Sequence, residues 1–259
     1  MLGLATSPFT AVLGGGGWFN EDSAVLLERG ALLCGSTPRL LVMPTPLSSL
    51  PCGELDGIRH RFGSWDPEFL TEDTQAMPDP SRAEELIEWA NIILVMGGNF
   101  GENMKRWRET GIDQMLLTAS ERGKVFVGSS NGLNCWFKAG QTLDRPLDEP
   151  KATEYFLQPG LGVLPALVCA HYDNFQPATG VPRSVSFTAM MRQQPVGTVG
   201  IGVTNFGYIE LSDGTVTVNR TRRYAGVHRL ERTPFQDEPE LQMLVPGAEA
   251  SFQEFFSPS

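Results

Sequence analysis

The sequence has few of the residues that build metal centres and disulfide frameworks. It contains three histidines and four cysteines among 259 residues, and no two cysteines have C-x-x-C spacing. This spacing argues against both a zinc site and a disulfide framework. We expect Cys34, Cys52, Cys135 and Cys169 to be buried, reduced thiols. We also expect no metal and no other cofactor.

Positive charge is scarce as well. Twenty Lys and Arg residues against thirty Asp and Glu residues give a formal net charge of −10. Such a chain lacks the basic field that binding to a phosphate backbone requires, so we expect no nucleic-acid partner. The glycine-interrupted amino-terminal apolar stretch falls short of the roughly 20 residues of a membrane span and follows no basic region. The sequence therefore predicts a cytoplasmic protein with no membrane partner.

Short apolar runs alternate with helical patterns in the first half of the chain. Residues 40–43, 92–96 and 125–127 are uninterrupted apolar runs, as expected of strands covered on both faces. The alternation predicts an α/β fold with a doubly wound, mostly parallel sheet flanked by helices. Functional sites of such sheets lie at the carboxyl ends of the strands.

Local signals predict where several elements begin and end. Helices are expected over residues 21–33, from a capping box that begins at Ser81, over 102–121 with a break at Gly111, and over 133–138. The β-rich second half is expected to extend the same sheet. We predict a single domain over residues 1–259, with a loosely packed tail after Arg232.

The segment Gly128-Ser-Ser-Asn-Gly132 matches the G-x-S-x-G pattern of a nucleophile elbow. It follows an apolar strand and precedes a helical pattern, which is the context that this motif requires. On these residues alone, Ser130 is either a nucleophile or part of a structural strand-to-helix turn.

A nucleophilic serine needs a base, and only three histidines are available. His60 lies in a basic cluster and His228 lies near the end of the chain. His171 follows an apolar run at the point where a loop begins, which is where a general base is expected. His171 is therefore the strongest candidate.

Acyl transfer also needs hydrogen-bond donors for an oxyanion. The backbone N–H of Asn131, the residue after the candidate nucleophile, is one candidate, and Gly98 in the turn before Asn99 is the other. The run from Gly14 to Gly17 has neither dinucleotide-binding nor P-loop spacing. We expect Asn99, Gly16 and Gly17 to lie against the substrate.

Taken together, these motifs resemble the peptidase E family, that is, peptidase family S51, which includes dipeptidase E and cyanophycinase. The resemblance rests on the glycine run at 14–17, VMGGN at 95–99, the elbow and its continuation at 128–137, LGVLP at 161–165 and HYD at 171–173. It implies a fold similar to that of class I glutamine amidotransferases, with serine in place of their cysteine. By position it assigns Ser130 as the nucleophile, His171 as the catalytic histidine, and the amides of Gly98 and Asn131 as the oxyanion hole.

The sequence departs from the family pattern at two positions. Asn131 stands where the family usually has alanine. Asn205 stands where the family has the third carboxylate of its triad. Asp144, close to an aspartate that the family places after the nucleophile helix, is expected to supply the missing charge if it lies near His171.

The sequence and the resemblance together predict a serine hydrolase that cleaves a short peptide or amino-acid derivative through an acyl-enzyme. The family implies a preference for an acidic residue, for which Arg183, Arg192 and Arg222 are candidate cations. The alternatives are a catalytically impaired homologue that binds a peptide-like ligand, and an amidase or acyltransferase acting on a specialised metabolite. A homodimer is compatible with the sequence.

Overall fold

The computed structural model describes residues 9–17, 21–46, 54–234 and 236–259, so Cys52 lies outside the described residues. The strands are β1 (Thr10–Gly14), β2 (Leu40–Met43), β3 (Glu68–Phe69), β4 (Ile92–Val95), β5 (Val125–Ser129), β6 (Phe137–Thr142), β7 (Phe156–Pro159), β8 (Leu164–Ala170), β9 (Val199–Val203), β10 (Gly207–Ser212), β11 (Thr215–Arg220), β12 (Val227–Glu231), β13 (Glu240–Leu244) and β14 (Glu249–Ser251). The helices are α1 (Glu21–Cys34), α2 (Glu54–Phe62), α3 (Pro80–Trp89), α4 (Phe100–Thr110), α5 (Ile112–Ser120), α6 (Asn131–Asn134), α7 (Arg183–Arg192) and α8 (Phe252–Phe256). No described helix is long and apolar enough to cross a membrane.

The first sheet has the strand order β14-β11-β10-β1-β5-β4-β2-β3. Its strands from β1 to β3 pair in parallel, as predicted for the first half of the chain. Side chains of these strands alternate between two cores. Val12, Val42 and Val127 pack with α1, whereas Leu41 and Phe126 face the core that contains α3 and α5. The uninterrupted apolar runs therefore reflect burial on both faces.

A second sheet has the order β13-β12-β9-β8-β6-β7. The expectation that the second half extends the first sheet is therefore correct for β10, β11 and β14 and wrong for the other strands. Hydrophobicity and spacing indicate that a segment is a buried strand, but they do not indicate which neighbour it pairs with. The largest core cluster contains side chains from both sheets.

Helix boundaries agree with the predictions at Gly111 and differ at two other places. Gly111 has φ 75° and separates α4 from α5. The N-cap of α3 is Asp79, whose side chain accepts from the Ser81 N–H, so the capping box predicted from Ser81 is wrong. Helix α6 has only four residues, and Phe137 already lies in β6 instead of the predicted helix.

The segment after Arg232 contributes one strand to each sheet. The expectation of a loosely packed tail is therefore wrong. Strand β13 pairs with β12, and β14 pairs with β11. Phe255 and Phe256 of α8 are buried in the main core. Strand β13 is mostly exposed and includes exposed Leu241 and Met243, so its sequence gave no signal for this pairing, because an edge strand needs no buried face.

The cysteines also separate into two groups. Cys135 and Cys169 are buried free thiols, and Cys34 is half-buried and also free. Burial raises the pKa of the Cys169 thiol to about 11. Buried, protonated thiols of this kind are poor nucleophiles, so these two residues are structural.

Gly111 and Gly57 provide a matched test of these backbone assignments. A Cβ added to either glycine would meet no atom within 4 Å, but only Gly111 has positive φ, whereas Gly57 lies inside α2. We expect Gly111→Ala to lower the free energy of unfolding by about 1 kcal/mol and Gly57→Ala to raise it by about 0.5–1 kcal/mol. Urea unfolding measures both. Equal effects of the same sign would contradict the assigned conformations.

Candidate active site

The elbow motif forms a tight turn between β5 and α6. Ser130 has φ 59° and ψ −113°, a conformation that residues with side chains rarely adopt. A Cβ on Gly128 would lie 2.2 Å from the Gly132 carbonyl oxygen, and a Cβ on Gly132 would lie 2.0 Å from the Val95 oxygen. Only glycine fits at either position. The two glycines therefore allow the turn that presents Ser130 at the end of the sheet.

His171 is the first residue after β8, and it also has positive φ, at 51°. Its Nε2 lies 2.8 Å from the Ser130 Oγ. The structure therefore brings together the serine and the histidine that the sequence singled out. His60 lies exposed on α2, and His228 in β12 packs on Tyr172 with a ring-centroid distance of 4.9 Å.

Asn205 follows β9 by two residues and contacts the other nitrogen of the imidazole. Its Oδ1 lies 2.8 Å from His171 Nδ1. The Asn205 Nδ2 donates to Asp173 Oδ1 at 3.0 Å and to Asn174 Oδ1 at 2.7 Å, so Oδ1 is left to accept. His171 therefore carries its proton on Nδ1, and Nε2 is free to accept the Ser130 hydroxyl proton.

The surroundings of His171 favour its neutral form. Burial lowers the pKa of the imidazole most strongly, and the nearby Arg183 guanidinium lowers it further. The hydrogen bond to Asn205 and the charges of Asp173 and Asp144 oppose this shift without cancelling it. An imidazole with a lowered pKa is unprotonated at neutral pH and can act as a base.

Asp144 makes no hydrogen bond with His171 but acts on it through its charge. Its carboxylate accepts from the Thr142 hydroxyl at 3.0 Å, and it reaches the imidazole only through its longer-range charge. The carboxylate behind Asn205 belongs to Asp173 instead. Sequence reasoning missed Asp173 because its side-chain direction depends on the loop after β8, although its position two residues after His171 was visible.

The turn of Gly97, Gly98 and Asn99 lies next to Ser130. A Cβ on Gly97 would be 3.4 Å from the Ser130 Cβ. The Thr45 hydroxyl donates a hydrogen bond to the Gly97 carbonyl. Because the N–H of a trans peptide points away from its carbonyl, the Gly98 N–H points away from Thr45. Thr45, which no sequence motif marked, therefore fixes the orientation of this peptide.

Two asparagines at the site use their side chains within the protein. Asn99 is the N-cap of α4 and accepts from the Glu102 N–H at 2.8 Å, and its contact with substrate stays a prediction. Asn131 is buried, and its Nδ2 donates to the Met96 carbonyl at 3.3 Å. Its backbone N–H opens α6 and has no acceptor within that helix.

Gly16 and Gly17, for which substrate contact stays a prediction, lie in close contact with other residues of the chain. A Cβ on Gly16 would lie 2.0 Å from the His171 ring, and a Cβ on Gly17 would lie 2.8 Å from the Phe206 ring. The glycines therefore pack against the residues that carry the site.

A cleft of about 210 Å³ opens beside Ser130 and His171. Its walls include Gly98, Asn131, Asp144, Tyr155, Phe175 and Arg183. Of the three candidate arginines, only Arg183 belongs to this lining. Arg192 pairs with Glu238, and the Arg222 guanidinium lies 5.6 Å from the centre of the Phe206 ring.

Comparisons with known proteins agree with this architecture. The model of peptidase family S51 matches residues 59–219. The uncharacterized peptidase YgaJ of Bacillus subtilis is 30% identical over 166 residues, which cover 62% of this chain and 67% of that protein. Peptidase E of Citrobacter koseri is 28% identical over 132 residues, which cover 50% of this chain and 55% of that protein. The chain thus spans little more than half the length of that relative.

Two solved structures share the fold. The crystal structure of a peptidase from an acI-B1 Actinobacterium has a TM-score of 0.66 at 16% identity, covering 94% of this chain and 96% of that one. A putative peptidase E from Listeria monocytogenes has a TM-score of 0.58 at 15% identity, covering 83% and 99%. At these identities the likeness concerns the fold alone.

Thr45 provides a test of how the Gly97–Gly98 peptide is held. Thr45→Val keeps the side-chain shape but leaves the Gly97 carbonyl without its donor, so the peptide loses its fixed orientation. We expect at least about tenfold slower reaction of Ser130 with a fluorophosphonate, because a donor to the developing oxyanion is misplaced. Thr45→Ser, which keeps the hydroxyl, should react at nearly the original rate. Equal rates for the Val and Ser variants would contradict this role.

Proposed function

The chain belongs to peptidase family S51, and from that membership we propose that it is a serine peptidase that cleaves an amide bond of a short peptide through an acyl-enzyme. The family resemblance predicted from the motifs is thereby confirmed. The observation that carries the proposed mechanism is the 2.8 Å contact between Ser130 Oγ and His171 Nε2. It joins a serine on an elbow to a histidine whose other nitrogen is already protonated.

In the proposed reaction, Ser130 Oγ attacks the substrate carbonyl carbon while His171 Nε2 takes the hydroxyl proton. The carbonyl π electrons move to oxygen, where the N–H groups of Gly98 and Asn131 stabilise the negative charge. Collapse of this intermediate breaks the C–N bond, and His171 returns the proton to the leaving amine. Water then attacks the acyl-enzyme with His171 again as the base, and Ser130 is regenerated.

Two observations support the choice of these donors. Asn131 follows Ser130 directly and lies at the start of α6, where its N–H has no intrahelical acceptor. Gly98 lines the same cleft, and the bond from Thr45 to the Gly97 carbonyl turns the Gly98 N–H away from Thr45. Both amides are therefore available without rearrangement of a secondary-structure hydrogen bond.

Ser129 and Ser130 form a matched pair for testing the nucleophile. A fluorophosphonate probe should label the unmodified chain and Ser129→Ala, whereas Ser130→Ala should fold normally and remain unlabelled. Labelling detected by intact mass, with the site located by peptide mapping, measures this. Labelling of Ser130→Ala would refute the assignment. A folded chain that is never labelled would favour the alternative in which the same cleft only binds a peptide-like ligand.

We also propose that Arg183 gives this peptidase a preference for an acidic substrate residue. A chain with net charge −10 repels acidic peptides at long range, so the preference needs a local cation. Arg183, the first residue of α7, lines the cleft, and its guanidinium lies 4.8 Å from the centre of the Tyr155 ring. Its Nη2 donates to the Gln141 carbonyl at 2.9 Å, while its buried Nε has no partner among the described residues. The positive charge of this guanidinium at the cleft supports binding of a carboxylate.

Arg183 and Arg192 lie at opposite ends of the same helix, which gives a matched control. We expect Arg183→Met to reduce the ratio of kcat/KM for Asp-X over Leu-X dipeptides by about 10-fold or more, because a charge-assisted hydrogen bond is lost. Arg192→Met should leave the ratio unchanged. Equal turnover of the two dipeptide classes by the unmodified protein would remove the proposed preference, and turnover of amides other than peptides would favour an amidase.

A further inference from the structure

Asn205 is held by a carboxylate that takes no part in the reaction steps described above. Asp173 Oδ1 accepts two hydrogen bonds from this one residue, from the backbone N–H at 2.7 Å and from the side-chain Nδ2 at 3.0 Å. Two donors of one residue on one oxygen restrict both the backbone and the side chain of Asn205. The amide therefore has one orientation, with Oδ1 toward His171.

The restriction matters because a neutral amide differs from a carboxylate in two ways. An amide can rotate and present its NH₂ group, which would place two donors face to face at His171 Nδ1. It also carries no net charge with which to stabilise the imidazolium that forms when serine loses its proton. The hydrogen bonds to Asp173 keep the Asn205 amide from rotating. The charge of Asp173 stabilises the imidazolium.

We infer that Asp173 is a positioning residue of the proposed serine peptidase, which orients Asn205 and supplies the negative charge that Asn205 lacks. The inference rests on the proposed function and extends it to a four-residue chain of contacts from Ser130 through His171 and Asn205 to Asp173. Asp173 itself touches neither the substrate nor the reacting atoms. Because Asp173 is exposed to solvent, its carboxylate does not have the desolvation cost of a buried charge.

Other charged groups around His171 also shift its pKa. Arg183 from α7 lowers the pKa of His171, and Asp144, which lines the same cleft, raises it less than Asp173 does. His228 from β12 also feels the charge of Asp173, but its own pKa is lowered by burial. Removing the charge of Asp173 should therefore lower the pKa of His171, because the imidazolium loses a stabilising neighbour.

Asp173→Asn tests the inference because asparagine keeps an oxygen that accepts from Asn205 but removes the charge. The readout is the rate of fluorophosphonate labelling as a function of pH. We expect the plateau rate to fall about tenfold and the acid limb of the profile to move to lower pH. Asp237→Asn, an exposed carboxylate on the loop before β13, is the control and should change neither. Asp144→Asn should have a smaller effect than Asp173→Asn.

A double variant that moves the negative charge from position 173 to position 205 should restore the rate of labelling. In Asp173→Asn/Asn205→Asp the carboxylate moves next to His171. The side-chain amides at positions 173 and 174 must then turn their NH₂ groups toward this carboxylate, because their oxygens face the Asn205 NH₂ group that the substitution removes. We expect labelling to recover to within a few-fold of the original rate. If Asp173→Asn fails to fold, this double variant still decides the matter, because an unlabelled but folded double variant would overturn the inference. Unchanged labelling of Asp173→Asn at every pH would also overturn the inference.

A measurement that needs no activity separates this inference from the proposed function. The chain has three histidines, so the pKa and tautomer of His171 are accessible by ¹⁵N NMR titration. We expect the Nδ1–H tautomer in the original chain and a lower His171 pKa in Asp173→Asn. If the original chain is never labelled but this shift is seen, the proposed function fails and the positioning of His171 by Asp173 stands. An unchanged pKa and tautomer would overturn the inference.

Discussion

The site depends on three consecutive carbonyl groups at the end of β1. The Gly14 oxygen accepts from the Ser130 N–H at 3.1 Å, the Gly15 oxygen accepts from the His171 N–H at 2.9 Å, and the Gly16 oxygen accepts from the Phe206 N–H at 3.0 Å. These donors belong to the elbow, to the loop after β8 and to the loop that carries Asn205. One short stretch of backbone thus sets the spacing of segments that come from two different sheets.

This arrangement explains why the stretch consists of glycine. A Cβ on Gly15 would lie 2.3 Å from the Thr204 oxygen, in addition to the overlap of a Gly16 side chain with the imidazole. Backbone can approach backbone this closely only where no side chain stands between. The close approach also holds Ser130, His171 and Phe206 at φ of 59°, 51° and 63°. Such conformations cost about 1–3 kcal/mol each and persist only where surrounding contacts fix them.

The electrostatics of the site are divided among separate residues. The fold buries His171, which lowers its pKa and keeps it available as a base, while Asn205 determines which nitrogen carries the proton. The negative charge lies on the exposed carboxylate of Asp173, which contacts Asn205 and not His171. Arg183 adds a local positive charge to the cleft of a chain of net charge −10, where it shares the lining with the carboxylate of Asp144.

The amino-acid sequence by itself determined the parallel half of the first sheet, the break at Gly111 and the pairing of a serine elbow with His171. Each of these is encoded locally, by uninterrupted apolar runs, by a glycine or by a motif in its strand-to-helix context. Only the tertiary structure decided that the later strands form a second sheet, that Asp173 and not Asp144 lies behind Asn205, and that Thr45 orients the Gly98 peptide. These depend on which loops meet at the end of β1, because strand pairing and side-chain direction in loops follow from contacts between segments far apart in the chain.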